Sequence, residues 1–223
     1  MVALLVLGTF ICFVVFDYFL HSQRAKATRA VATPAEPQEA SFPMSIVGGF
    51  KLPAALSYHA GHAWAAKESR NIVRIGLDDL AVRLVGHIDQ LDLPARGRWL
   101  RQGEKGWALG RGEHLFEMLS PIEGEVVDVN ADVLKDPSII HEDPYGAGWL
   151  VAVNSPAVDS NLKNLLRGRL AQRWMEESVL RLHTHLSPSS SPHLQDGGRA
   201  ISDLLSVLPE ERWEQVAREL FLT

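Results

Sequence analysis

The chain has 223 residues, 46% hydrophobic and 22% charged, which is enough for one domain of ordinary size with appendages. A net charge of -5, with the arginines scattered, excludes the basic face that a phosphate backbone requires, so no nucleic-acid role is expected. The single cysteine, Cys12, lies in an apolar run and leaves neither a disulfide framework nor a cysteine-based metal site.

From Val2 to Leu20 the chain is apolar apart from Gly8, Thr9 and Asp17, close to the roughly 20 residues that a helix needs to cross a bilayer core. Residues 1–21 are therefore expected to form one transmembrane helix. A cleaved signal peptide is the competing reading, disfavoured by the lack of a basic region before the run and of a strong small-residue site after it. Positive charge follows the run at Arg24, Lys26 and Arg29, which predicts an inner-membrane protein with its N-terminus outside and its soluble part in the cytoplasm. Asp17 lies about one turn from that flank, where a carboxylate can reach the interface.

Residues 22–57 read as a linker and lead-in, because the stretch to Pro43 is rich in Ala, Pro, Gln, Ser and Thr. Residues 58–158 carry short apolar runs broken by Gly, Pro and Asp: 72–75, 86–91, 107–109, 114–118 and 124–129. That pattern predicts strands and hairpins, interrupted by one or two helical turns over 77–84 where Leu77, Leu80, Ala81 and Leu84 recur at helical spacing. Over 159–185 Leu162, Leu165, Leu166, Leu170, Trp174, Val179 and Leu182 predict a long amphipathic helix, with Asp159 or Ser160 as N-cap. A Ser-, Pro- and Gly-rich linker at 186–198 precedes a last amphipathic helix within 199–223, started by Pro209 with Glu210 and Glu211 behind it.

Several of these stretches are more specific than their periodicity. They include Tyr58, His62 and Trp64; Leu93-Pro94, Gly97 and Gly103; Ser120-Pro121-Ile122-Glu123-Gly124-Glu125-Val126-Val127-Asp128-Val129-Asn130; and Asp143-Pro144-Tyr145-Gly146-Ala147-Gly148-Trp149-Leu150. In this order and spacing they resemble the H protein of the glycine cleavage system over Tyr58 to about Arg173. The resemblance implies a mainly β fold with added helices, a barrel-sandwich hybrid of two small sheets related by approximate two-fold symmetry. It also implies a hairpin that presents a lysine bearing a lipoyl arm.

Counted back from Ser120 without gaps, the position of that lysine is Glu113, and a carboxylate cannot form the lipoyl amide. The nearest lysine, Lys105, lies eight residues earlier. The chain is therefore read as a degenerate member that carries no cofactor. Glu113 with Arg111 and His114 could be a catalytic cluster, but hairpin tips are commonly polar and exposed, and no enzyme activity is expected. His59 and His62, with His87, His114 and His141, invite a metal reading; without a third ligand at convincing spacing, structural histidines are preferred.

The last helix is the candidate partner-binding element, through Leu204, Leu208, Trp213, Val216, Leu220 and Phe221. Its acidic outer face disfavours an anionic lipid surface, and a groove on another protein is preferred over docking on its own domain. The function expected is that of a non-catalytic, membrane-anchored accessory or scaffolding subunit. Its domain would bind and stabilise the subunits of a larger membrane complex, for instance a respiratory or photosynthetic one. The alternative is a regulatory or decoy partner of lipoate or glycine-cleavage enzymes at the membrane.

Overall fold

A computed structural model describes residues 44–186 and 203–223. The candidate span at 2–20, with Cys12 and Asp17, and nearly all of the 186–198 linker lie outside the described residues. Among the described residues no helix is long and apolar enough to cross a membrane.

The described chain is mainly β with added helices. The strands are β1 (Met44–Val47), β2 (Phe50–Pro53), β3 (Ser57–Tyr58), β4 (Ala63–Lys67), β5 (Ile72–Leu77), β6 (Gln90–Asp92), β7 (Trp99–Leu100), β8 (Lys105–Arg111), β9 (His114–Leu119), β10 (Gly124–Val129) and β11 (Val151–Asn154). The helices are α1 (Asp79–Val85), α2 (Ala131–Lys135), α3 (Ser138–Glu142), α4 (Val158–Lys163), α5 (Gly168–Leu186) and α6 (Trp213–Phe221). A six-stranded sheet runs β3-β4-β5-β11-β10-β7, a three-stranded sheet β6-β8-β9, and β1-β2 form a separate hairpin. Val73, Ile75, Leu77, Val151, Val153, Leu109, Met118 and Val126 from the two larger sheets meet in one core.

The two long motifs are tied together by one side chain. Asn130, at the end of the first, accepts from Asp132 N–H at 3.1 Å to cap α2, and donates to Ala147 O at 2.8 Å and Trp149 O at 2.7 Å in the second. The second motif opens with Asp143, whose carboxylate accepts from Gly146 N–H and Ala147 N–H at 3.0 and 2.7 Å and sets the turn. That turn aims Pro144 O at the buried Trp64 indole N–H, 3.0 Å away. Across the strand pair Trp64 lies over Gly76, where a Cβ would stand 2.5 Å from the indole ring. Gly76→Ala is therefore expected to cost about 1–3 kcal/mol, read as a shift in the denaturant midpoint at unchanged slope.

Most predicted strands and the short helix fall close to where expected, but the run at 86–91 is strand only from Gln90, and four further features differ. The lead-in contains the β1-β2 hairpin, whose Val47, Phe50 and Leu52 are buried. It packs on α5, with Gln172 donating to Ser45 Oγ at 2.9 Å and Gly48 (φ +57°) so close to Val179 that a Cβ would meet Cγ1 at 2.8 Å. Instead of one long helix, α4 and α5 are separated at Asn164–Arg167, because Leu166 exchanges both backbone hydrogen bonds with Tyr58, at 2.9 and 2.8 Å. Helical periodicity reports which side chains are apolar and does not register this competing backbone partner. Neither Asp159 nor Ser160 is the N-cap, since Ala157 holds that position and Asp159 falls in the first turn of α4. The last helix begins at Trp213, after 3-10 turns at Leu205–Val207 and Glu210–Arg212.

Candidate functional site

The hairpin of β8 and β9 pairs Arg111 with His114 and leaves a two-residue turn, Gly112-Glu113. Gly112 takes φ +58°, the positive value that a tight hairpin turn requires at its first position, and its N–H donates to the Asp89 carboxylate at 2.8 Å. Glu113 is exposed at the tip. Lys105 begins β8 at the other end of the hairpin, roughly 20 Å away at strand rise, and is ion-paired with Glu117.

The flanks of the tip are held by the C-terminal segment. Arg111 donates to Val85 O at 2.5 Å and makes a bidentate pair with Asp203, at 2.6 and 3.0 Å, while its guanidinium lies 4.3 Å from the Trp213 ring centroid. His114 sits between Glu210, 2.9 Å from Nε2, and Glu214, 3.6 Å from Nδ1, with its ring 5.4 Å from Trp213. Farther along, His185 of α5 pairs with Glu219 at 2.8 Å.

Leu204, Leu208, Val216, Leu220 and Phe221 are buried, and Trp213 is partly buried, against the chain's own core. The groove that receives them is thus within this chain, whereas the sequence reading preferred one on another protein. The signal that separates the two is charge pairing: Asp203, Glu210, Glu214 and Glu219 match Arg111, His114 and His185, a relation that the helix's own periodicity does not contain.

A second constellation lies under the far end of the segment. His62 and Asp78 are fully buried, with Nδ1 and Oδ2 2.7 Å apart. Asp78 also caps α1 by accepting from Ala81 N–H at 2.8 Å. The His62 ring lies tilted 4.6 Å from the Trp174 ring and edge-on 6.5 Å from Phe221, and its Nε2 is buried without a hydrogen-bond partner. His59 accepts from Gly61 N–H at 3.1 Å, and burial, then the nearby His62, lower its pKa. Among the described residues no three His, Cys, Asp or Glu side chains are grouped to hold a metal ion.

Tyr58 donates to Pro53 O at 2.8 Å; Tyr145 donates to Lys51 O at 2.6 Å and accepts from Asp79 N–H at 2.9 Å. Burial, then the Asp78 charge, pushes both phenols well above the ordinary tyrosine range. The fold thus prefers the neutral phenols, so their contribution is intact below about pH 10 and is lost as the pH rises past it. A base titration followed by tyrosinate absorbance should show these two of the chain's three tyrosines ionising only with unfolding; reversible ionisation of more than one tyrosine near pH 10 in the folded protein would contradict it.

A family model for the glycine cleavage H-protein matches residues 56–178, and the chain belongs to that family. It is 38% identical over 98 residues to the glycine cleavage system H protein of Laribacter hongkongensis, covering 44% of this chain and 77% of that one. It is 30% identical over 141 residues to the probable glycine cleavage system H protein 2 of Sulfurisphaera tokodaii, covering 61% and 93%. Among solved structures, the H protein from Mycobacterium marinum is similar at 32% identity, 48% of this chain, 87% of that chain and a TM-score of 0.45.

Proposed function

We propose that this chain is a non-catalytic, membrane-anchored accessory subunit, in which an H-protein-like domain has given up the lipoyl arm and serves as a binding surface on a larger membrane complex. The observation that carries this reading is the hairpin tip. Its exposed position bears the carboxylate of Glu113, while Lys105 is at the hairpin's other end and engaged with Glu117. The neighbours Arg111 and His114, which could have served a reaction, are spent on contacts within the chain. The apolar run at 2–20 and the basic residues after it support a single-pass anchor with the domain in the cytoplasm.

The test is gentle solubilisation of native membranes, isolation of the tagged full-length protein, and mass spectrometry of its stoichiometric companions. A defined set of membrane subunits is expected. Recovery alone would overturn the reading, and recovery with soluble lipoate or glycine-cleavage enzymes would replace it with a regulatory role toward those enzymes.

A further inference from the structure

Residues 203–223 lie along one strip of the domain, and the strip is shaped to receive them at both ends. At the hairpin end a Cβ on Gly86 would stand 2.5 Å from the Asp203 carboxylate. At the other end a Cβ on Gly61 would stand 2.6 Å from the carbonyl oxygen of Phe221. Between them the ion pairs that join domain and segment among the described residues share one polarity, with the base or imidazole on the domain and the acid on the segment: Arg111 with Asp203, His114 with Glu210 and Glu214, His185 with Glu219. Trp213 fills the space beside Arg111 and His114, and Val216, Ala217, Leu220 and Phe221 turn inward.

The nine residues of α6 are fewer than the ~12–15 that an isolated helix needs in water, so the helix depends on the strip for its structure. The segment joins α5 through 187–202, which contains Ser187-Pro188-Ser189-Ser190-Ser191-Pro192 and Gly197-Gly198. A short acidic helix with an aromatic in its first turn, joined through such a stretch, has the form of a ligand supplied in cis. Much of its occupancy then comes from local concentration, which a partner helix at sufficient concentration or affinity can match.

We propose that the strip from Arg111 and His114 to the His59–His62 turn is a docking surface for an acidic amphipathic helix of a partner protein, with residues 203–223 as the internal occupant that such a helix displaces. This rests on the accessory-subunit reading and names the surface it would use. The partner is specified by chemistry: an aromatic side chain to lie against Arg111, carboxylates opposite Arg111, His114 and His185, and an apolar face ending in a large side chain beside His62.

The probe is a fluorescently labelled peptide of residues 203–223, titrated against the full chain. Wild-type protein, with its strip occupied, should bind it weakly. The Trp213→Ala, Phe221→Ala chain should bind it at least about tenfold more tightly, and adding Arg111→Ala to that chain should remove about the same factor. A peptide with Glu210, Glu214 and Glu219 changed to Gln should lose most of its affinity. A variant that stays folded and does not bind the peptide overturns the proposal. As a second measurement, a protease site placed within 187–202 of the otherwise native chain is cut and labelled peptide added. Exchange with the folded spectrum retained supports displacement; no exchange, or unfolding once the segment leaves, overturns it. Either failure leaves the co-isolation of membrane subunits untouched, so the surface and the accessory role stand or fall separately.

Discussion

Asp78→Ala is expected to lower the unfolding free energy by about 2–5 kcal/mol, from a stranded buried donor and a lost helix cap together. The carboxylate serves two fully buried partners at once, capping α1 through Oδ1 and holding His62 Nδ1 through Oδ2. Removing it strands an imidazole whose other nitrogen already lacks a partner, and frees an N–H at the start of a helix. His62 also sits at φ +65°, a left-handed conformation that costs a side-chain-bearing residue energy and is fixed here by Asp78 N–H donating to His62 O at 3.1 Å and by the side-chain pair. Denaturant unfolding of the wild type and of Asp78→Ala and Asp78→Asn checks it. Asparagine keeps the cap and should lose less. A loss below about 1 kcal/mol for alanine would mean that the buried pair contributes little to the fold.

Expression of the full chain with lipoate and a lipoate-attaching enzyme is expected to leave its intact mass unchanged, whereas Glu113→Lys gains one lipoyl group. Amide formation needs an amine at the exposed turn, and Gly112-Glu113 offers the backbone without the amine. Lysine at 113 restores it, with loss of one water per bond formed. A lipoyl group on the wild-type chain, mapped to any lysine, would end the reading of a domain without its arm. An unmodified Glu113→Lys protein would show that the hairpin is no longer recognised, which the engagement of Arg111 and His114 by Asp203, Glu210 and Glu214 would account for.

Much of the fold was legible because it is written in local chemistry. Asp143-Pro144-Tyr145-Gly146 makes its own turn hydrogen bonds, Gly112 sits where a two-residue hairpin needs a positive φ, and Val126 of β10 with Val151 and Val153 of β11 fill a core. What was not legible depends on partners distant in sequence. The Leu166–Tyr58 backbone exchange that breaks the long helix spans more than half of the domain, and the β1-β2 hairpin is set by α5. The candidate site divides in the same way. Glu113 at the tip followed from counting back from Ser120, but the destination of Trp213, Val216, Leu220 and Phe221 did not follow from their spacing, because an amphipathic face specifies that it will be covered and not by what. The pairing of Asp203 with Arg111 across 92 residues, with those of Glu210, Glu214 and Glu219, decides that.

The β1-β2 hairpin rests on α5 through Gly48 and Val179 and through Ser45 and Gln172, and the same helix ends at His185 and Leu186, beside Glu219. Tension entering the domain at residue 44 therefore meets α5 before it meets any strand of the six-stranded sheet, and the far end of that helix is one of the clasps on residues 203–223. A tug on the chain's leading end and the hold on its trailing end share one lever.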